Sequence, residues 1–534
     1  MKSLKYIALS ACAMMSLASC NDYLDTLPDD RAEIKTADQV KDLIVSAYPD
    51  YNNNTIMETL SDNVTDNGRT YATTELMEEL YHFEDVDDTG NDSPYTIWNG
   101  YYRSVATANE ALQNLDKLGL TAQYPNLVAE AKLVRAYSMF QLANTFCMAW
   151  NPEKADTYQG LPYPKVPAKF IGGSYERGTL RQLYENINQD IEDALPHIED
   201  DTYSIPKYHF NRKAAYAFAA RFNLYYLNNK KCIEYANAVL GNDPTTVMRD
   251  FEPLTKFGAM DIGTQYIKSS DNANLMLLAT YSGITYNLVA GVYPRYNHNQ
   301  YVCQYDTFWA RGPWGSGSGS GQNGRALLYY SNMLYGNNQT VYFPKMMPQF
   351  EITDKINMTG YLHAVDAIFT GDETLLCRAE AYARDKQYDA AVADINTWIK
   401  THCREKASDG TERPVLTVAS LNEFMEGLDY SPVGEIGSWS ELTIRRELHP
   451  QGFTVEKGTM ENILDLVLHM RRLETMYQGL RFIDIKRYGL CFPHLQRGSE
   501  QLIFNSESTG YADLRGAVQL PADVIKAGLP ANER

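Results

Sequence analysis

The sequence predicts a mainly α-helical protein, a tetratricopeptide-like helical-repeat scaffold with a long irregular, loop-rich second half and a few short strands. Pairs of segments carry apolar residues at spacings of three and four, and a short polar break joins the two members of a pair. Between residues 241 and 371 this periodicity is lost, and Tyr, Asn, Gly and Pro become frequent. So long an irregular insertion in a helical scaffold is more often functional than structural, so we expect part of a binding site there.

The clearest helical pair lies at residues 373–402. Its first helix places Leu375 and Ala379 on one face, residues 385–387 form the polar break, and Ala391 lies on the apolar face of the second helix. A small residue in each helix, flanked by large ones, lets the two axes approach closely and is typical of a tetratricopeptide repeat. One such unit cannot bury both of its faces, so stacked neighbours are expected. The alternative is an ordinary helical hairpin in a globular core.

Other segments repeat this pattern and are predicted to be helical. They are residues 95–115, 129–146, 180–195, 211–240 and 461–489. Thr36 and Gln39 have the spacing of a capping box and predict a helix that starts near Thr36. Because helical pairs recur along the chain, the repeat is favoured over the isolated hairpin.

The first 20 residues predict export and lipid attachment. Lys2 and Lys5 precede an apolar run that is too short to span a bilayer, as in a signal peptide covering residues 1–19. The run ends in Leu-Ala-Ser-Cys, the pattern of a lipobox, so Cys20 is predicted to carry the lipid; the alternative is a plain secretory signal with an incidental cysteine. We expect residues 20–534 to form a single domain, with a helical part at 21–240 and an irregular part with further helical pairs at 241–534.

Composition excludes several classes of function. Removal of Lys2 and Lys5 with the signal peptide lowers the basic count from 48 to 46 against 67 acidic residues, a formal charge of −21. Nucleic acid is therefore not an expected partner, because phosphate binding needs a basic surface. The cysteines have no zinc-ligand spacing, and neither G-x-S-x-G nor H-E-x-x-H occurs. We predict no metal, no cofactor and no enzymatic activity.

Several motifs together resemble the SusD/RagB family of lipoproteins, which are nutrient-binding proteins of the Bacteroidetes outer membrane. The most specific is the run RRLETMYQGLRFIDIKRYG at residues 471–489. Trp98 to Leu112 is similar to the W-x-x-x-Y helix of the family, and residues 133–137 with Gly-Leu-Pro at 160–162 are similar to its second helix and loop. Val-Gln-Leu-Pro at 518–521 resembles the segment near its C-terminus. With the lipobox, the resemblance covers essentially the whole mature chain.

The resemblance implies a lid-like, lipid-anchored protein on the cell surface that sits over a TonB-dependent transporter of the SusC type. It implies capture of an oligosaccharide or polysaccharide for import, with the helical repeats facing the barrel and the irregular part carrying much of the ligand site. For Arg481, Asp484 and Arg487, which lie in the most specific motif, we favour a structural role as clamps of a helix end.

Sugar recognition needs aromatic faces for the ring and planar polar groups for the hydroxyls. Tyrosine is abundant, with 39 residues against 18 phenylalanines. In SusD-like proteins the site is built from an early loop and from aromatics of the irregular middle, and two stretches here lie in those regions. The predicted ligand-binding residues are Asp62, Asp66, Asn67, Arg69 and Tyr71 in the first, and Tyr293, Arg295, Tyr296, Trp309, Arg311 and Trp314 in the second. We favour Tyr296, Trp309 and Trp314, because Gly312, Pro313 and Gly315 predict a loop that projects both tryptophans.

Two other functions are compatible with the sequence. One is a peptide-binding protein on the same scaffold, as RagB-type members of the family are. The other is a surface glycoside hydrolase with two carboxylates, which a single sequence with 67 acidic residues does not exclude.

Overall fold

The computed structural model describes residues 34–167, 175–289, 294–317, 327–337, 339–494 and 501–534. The predicted signal peptide and Cys20 lie outside these residues. The helices are α1 (Ala37–Val45), α2 (Asn54–Thr59), α3 (Glu75–Tyr81), α4 (Pro94–Lys117), α5 (Pro125–Phe146), α6 (Leu180–Ala194), α7 (Arg212–Tyr225), α8 (Asn229–Leu240), α9 (Ala259–Tyr266), α10 (Gln300–Asp306), α11 (Gly371–Arg384), α12 (Tyr388–His402), α13 (Val418–Glu426), α14 (Thr459–Glu474), α15 (Leu480–Tyr488) and α16 (Ala522–Lys526). The strands are β1 (Thr65–Asp66), β2 (Asn274–Tyr281), β3 (Tyr296–Asn297), β4 (Tyr335–Gly336), β5 (Val341–Tyr342), β6 (Gln349–Asp354), β7 (Thr359–Thr370), β8 (Phe492–His494) and β9 (Leu502–Phe504).

Stacked helical pairs form the scaffold, which confirms the predicted fold class. Helix α4 packs against α5, α7 against α8, and α11 against α12, and the pairs stack through contacts of α11 with α8 and α14. Ala379 and Ala391 are fully buried, as close approach of two helix axes requires. The capping box of Thr36 and Gln39 at the start of α1 is also confirmed. Helix α6 packs mainly on α5 rather than on the helix that follows it.

The predicted continuous helix at 461–489 is wrong, because the chain breaks between α14 and α15. Tyr477 and Gly479 have left-handed backbone angles, with φ of 68° and 70°. The Glu58 carboxylate accepts hydrogen bonds from both of their N–H groups, at 2.9 and 3.3 Å, and so stabilises the break. A Cβ on Gly479 would lie 2.7 Å from the Cβ of Met57, so α2 packs too closely for a side chain there.

The loop-rich half contains a three-stranded antiparallel sheet in the order β2-β7-β6. Its strands are longer than expected, since β7 has 12 residues and β2 has eight. The residues of β2 are almost entirely buried, so the alternation of apolar and polar residues that would reveal a strand is missing there. None of the described helices combines the length and apolar character needed to cross a membrane.

Buried ion pairs join α15 to the rest of the scaffold. Arg481 donates two hydrogen bonds to Asp62, at 2.8 and 2.7 Å, and Arg487 pairs with Glu380 of α11. Asp484 accepts from Arg471 at 3.0 Å. The structural role predicted for Arg481, Asp484 and Arg487 is therefore confirmed.

Candidate ligand-binding cleft

A cleft of about 560 Å³ opens in the loop-rich half, where α10 and the residues after it meet the segment 427–444. Such a volume is within the range of small-molecule sites. The first segment contributes Gln304, Tyr305, Trp309, Arg311, Ser316 and Gly317, and the second contributes Gly427, Leu428, Asp429, Leu442, Thr443 and Ile444.

Helix α10 presents one polar and aromatic face beside the cleft. The side chain of Asn299 caps the helix by accepting from the N–H groups of Tyr301 and Val302, at 3.0 and 3.1 Å. Tyr301 and Gln304 are exposed and Tyr305 is half-buried; residues three and four apart lie on the same helix face. The cap thus fixes the start of a short helix that displays two tyrosines.

Two tryptophans extend this aromatic surface. The ring of Trp439 stacks on that of Tyr301, with the centroids 5.5 Å apart and the planes 13° from parallel. Trp309 is half-buried in the cleft wall, where its backbone N–H donates to the carbonyl of Cys303 at 2.9 Å. The indole nitrogen of Trp309 has no hydrogen-bond partner among the described residues. We call Tyr301, Tyr305, Trp309 and Trp439 the aromatic row.

Polar groups border the aromatic row, and the loop opposite α10 is held in place. Arg311 and Asp429 are exposed at the cleft, and the Arg311 guanidinium lies 5.8 Å from the ring centre of Phe424. Thr443 donates to the carbonyl of Asp429 at 2.6 Å, and Arg445 donates to that of Leu428 at 3.0 Å. These bonds fix the wall before a ligand enters, which lowers the entropy lost on binding.

The two stretches predicted to bind the ligand do contact each other, but their contact is a strand pairing that belongs to the fold. Strand β1 pairs with β3, so that Asp66 lies opposite Tyr296. Arg295 pairs with Asp66 at 2.9 Å and with Glu78 at 2.6 Å. The amide of Asn67 donates to the carbonyls of Pro294 and Gln339 and to the side chain of Asn297. Asp66, Asn67 and Arg295 therefore already have partners within the protein.

The expectation that the loop projects both tryptophans is correct for Trp309 and wrong for Trp314. Trp314 is only 2% exposed, and its ring packs against Trp398 and His469, at centroid distances of 5.4 and 6.1 Å. A Cβ on Gly312 would lie 2.5 Å from the Trp314 indole. The turn formed by residues 312–315 thus folds this ring back across Gly312 into the core.

Of the remaining predicted residues, only Arg311 lines the cleft. Tyr296 is 1% exposed, stacks on Tyr81 at 4.4 Å and donates to Glu78 at 2.8 Å, so no ring face is free. Arg69 is exposed and Tyr71 half-buried, both away from the cleft lining. Tyr293 lies outside the described residues.

Asp62 belongs to a buried charge cluster that also holds the end of α10. Its carboxylate faces Arg481, Arg472 and Arg446, at 2.7, 3.4 and 3.8 Å. Burial opposes its ionisation, but the charges of Arg472 and Arg481 hold the pKa of Asp62 well below its usual range. Arg446 and Arg472 also bind Asp306, the last residue of α10. This buried charge cluster thus connects α10, α14, α15 and the early loop.

A second buried cluster, Asp372, His402 and Glu474, is the one group of metal-ligand type among the described residues. His402 Nε2 lies 2.9 Å from Glu474 and 3.8 Å from Asp372. Lys345 donates to the Glu474 carbonyl at 2.7 Å. Burial disfavours the ionised form of Glu474, but its hydrogen bond with His402 and the charge of Lys345 hold the pKa of Glu474 at about 2. Burial, together with the negative charge of Glu474, raises the pKa of Asp372 to about 7. Lys345 and Arg249 supply positive charge beside these two acids, and we assign the cluster a structural role.

Sequence reasoning missed Tyr301, Gln304, Tyr305, Asp429 and Trp439. A signal was present for three of them, because an N-cap asparagine at 299 followed by Tyr301, Gln304 and Tyr305 has the spacing of a displayed helix face. Nothing in the sequence places Trp439, which lies 138 positions after Tyr301, against that helix.

Comparison with known proteins agrees with this fold. Residues 22–224 match the SusD-like family model described as starch-binding and associating with the outer membrane. Similar solved structures include a SusD superfamily protein from Bacteroides vulgatus, with 16% identity and a TM-score of 0.62 over 93% of this chain and 99% of that one. A SusD superfamily protein from Bacteroides thetaiotaomicron has 16% identity and a TM-score of 0.59 over 93% and 100%.

A third similar structure is a SusD-like carbohydrate binding protein from Bacteroides vulgatus, with 14% identity and a TM-score of 0.60 over 92% and 97% of the two chains. No curated protein matches the sequence. The fold defines a tetratricopeptide-like repeat protein with a loop-rich insertion. The resemblance to SusD-like proteins is confirmed in two respects: residues 22–224 match the family model, and the solved SusD superfamily structures share the fold of this chain.

Proposed function

We propose that the chain is a glycan-binding protein whose ligand site is the cleft with its aromatic row. The observation that carries the proposal is that Tyr305 and Trp309 line one cleft with Arg311 and Asp429. Tyr301, on the same face of α10 as Tyr305, stacks on Trp439 and adds two further partly exposed rings. Aromatic faces cover the apolar face of a sugar ring, and planar charged groups accept or donate hydrogen bonds to its hydroxyls. The starch-binding description of the family and the carbohydrate binding relative support the same class of ligand.

The cleft favours binding over hydrolysis. Asp429 is the one carboxylate among the described residues that line it. Glycoside hydrolysis with general acid–base chemistry requires a pair of carboxyl groups flanking the bond that breaks. We therefore infer a non-enzymatic role.

Calorimetric screening of the purified protein against oligosaccharides and oligopeptides tests the ligand class. We expect an oligosaccharide to bind. Binding of peptides alone would refute the glycan proposal and favour the RagB-like alternative.

Substitution of Trp309 by Ala then tests the site. Loss of one stacking ring from the cleft is expected to cost roughly 1–3 kcal/mol of binding free energy. The matched control is Tyr286→Ala, which removes a ring that is 55% exposed and does not line the cleft. Equal affinity of Trp309→Ala and wild type, at unchanged Tm, would place the site elsewhere.

We further propose that the protein is anchored at the outer-membrane surface through lipid on Cys20 and delivers its ligand to a SusC-like TonB-dependent transporter. The lipobox before Cys20 and the outer-membrane description of the family support this. Cys20→Ala should release the protein from membranes and abolish acyl labelling. A tagged wild-type protein should bring down a large barrel protein in mild detergent, through its helical-repeat side; recovery as a free monomer in several detergents would contradict the partnership.

A further inference from the structure

The hairpin of β6 and β7 has an apolar surface that its own folding does not explain. Five of the 18 exposed large apolar side chains of the described residues lie between positions 349 and 361. They are Phe350 (57% exposed), Ile352 (38%), Ile356 (92%), Met358 (63%) and Tyr361 (56%). Single exposed apolar residues are common, but a cluster of this density usually marks an interaction site.

Polar side chains form the hydrogen bonds of the hairpin turn, and the apolar side chains at the turn take no part in them. The Asp354 carboxylate accepts from the N–H groups of Ile356 and Asn357 and from the Asn357 amide, at 2.8, 3.1 and 2.7 Å. Met358 has a φ of 54°, a left-handed angle at which glycine or asparagine is less strained. Ile356 and Met358 thus stand at positions where a polar residue or glycine would serve folding equally well or better.

Strand β6 is an edge strand whose outer side has no neighbouring strand among the described residues. Its pairing with β7 places Phe350 opposite Leu362 and Ile352 opposite Gly360, so one apolar face runs along the hairpin. The side chains of Glu351 and Tyr361 lie on the opposite face. A free edge with an apolar face is a template for the addition of a further strand.

A second copy of this chain is a poor occupant of the edge. Antiparallel self-pairing centred on Glu351 would set two glutamates directly opposite each other, which is destabilising. Shifted registers set Phe350 opposite Asp354, or Ile352 opposite Pro348, which has no N–H to donate. The net charge of each mature chain, −21 if residues 1–19 are removed, adds to the repulsion.

A lipid surface is also disfavoured, because the exposed charges of the hairpin are mainly acidic. Glu351 and Asp354 outnumber Lys355, whereas segments that lie on membranes are rich in Lys and Arg on their polar side. The carboxylate of Glu351 is 58% exposed and pairs with His363 at 2.8 Å. A basic side chain in an added strand would meet this acid.

We propose that β6 is a docking edge for an extended segment of a different protein. That segment adds as a strand to β6, covers Phe350 and Ile352 with alternate apolar side chains, and carries a basic residue near Glu351. The docking edge is separate from the glycan cleft, and the proposal does not depend on the nature of the ligand.

Site-specific photo-crosslinking in the producing bacterium tests the proposal with the full lipidated chain. Benzoylphenylalanine is introduced at position 350, 351 or 352, with position 415 as the control, because Val415 is 82% exposed in a different loop. We expect one protein partner to be crosslinked from positions 350, 351 and 352, since an added strand has side chains opposite β6 on both faces, and no such adduct from the control position 415.

The crosslinked partner peptide should map by mass spectrometry to an extended segment with a basic residue. Ile352→Asp should abolish the adduct formed from position 350 without changing Tm, whereas the matched Val415→Asp should retain it. Adducts with a second copy or with lipid, an equal yield of the same adduct at the control position 415, or no adduct would each overturn the proposal.

Discussion

Replacement of Asp62 by Asn tests whether this residue supports the fold or contacts the ligand. Asn has nearly the same shape, so the substitution removes a charge with little change in packing. It leaves Asp306 as the remaining ion-pair partner of Arg446 and Arg472 and removes the ion pair of Arg481, in an interior where Arg481 and Arg472 are 3% and 2% exposed. An uncompensated buried charge is costly, because water cannot replace the lost partner.

The expected loss is about 3–5 kcal/mol of unfolding free energy, the range for removing one partner of a buried ion pair. Unfolding entropy of about 2.1 cal/mol/K per residue gives about 1 kcal/mol/K for a protein of roughly 500 residues. The melting temperature, measured by differential scanning calorimetry at pH 7, should therefore fall by about 3–5 °C.

The pH dependence gives an independent check. Because the pKa of folded Asp62 is depressed, its contribution is complete above the unfolded pKa of about 3.9 and is lost as the pH falls below that value. The difference between wild type and variant should shrink on acidification. The control is Asp156→Asn, which breaks the exposed pair with Arg181 and should leave Tm unchanged. An unchanged Tm for Asp62→Asn, combined with weaker ligand binding, would refute the structural role and restore the ligand-contact prediction.

Three further predictions follow from the packing and from buried titration. Trp314→Ala should lower the unfolding free energy by about 3–5 kcal/mol in urea denaturation, since it empties a core position; a variant as stable as Trp309→Ala would contradict this. Gly479→Ala should destabilise by more than about 1 kcal/mol, because its φ is 70° and its Cβ would meet Met57; unchanged urea unfolding would show that α2 relaxes instead. Burial raises the pKa of Asp92 to about 6, so the contribution of Asp92 to stability should fall by about 3 kcal/mol as the pH rises from about 4 to above 6. The Asp92→Asn variant should not show this pH-dependent loss of stability. A pH profile of Tm identical to that of the wild type would exclude Asp92 as its source.

The candidate site was only partly predictable, because exposure depends on the tertiary fold. Trp309 and Arg311 were found from composition and turn residues, and both line the cleft. The same reasoning selected Trp314 and Tyr296, whose rings are covered by Trp398 and by Tyr81. A local pattern identifies aromatic residues in a loop, but only the distant elements that pack on them decide which faces remain free.

Local and periodic features of the sequence determined the scaffold. Small residues such as Ala379 and Ala391 at helical spacing, and a cap such as Thr36, act within one or two helical turns, so they specify helical pairs without knowledge of the rest. The signature at 471–489 in turn located buried charges such as Arg481.

Only the tertiary structure decided where α14 ends, because the break depends on Glu58, more than 400 residues away in the chain. It alone brought Trp439 to Tyr301 and turned Asp62 from a candidate ligand contact into the centre of a buried charge cluster. Contacts of this kind depend on chain segments far apart in sequence, and no local spacing records them.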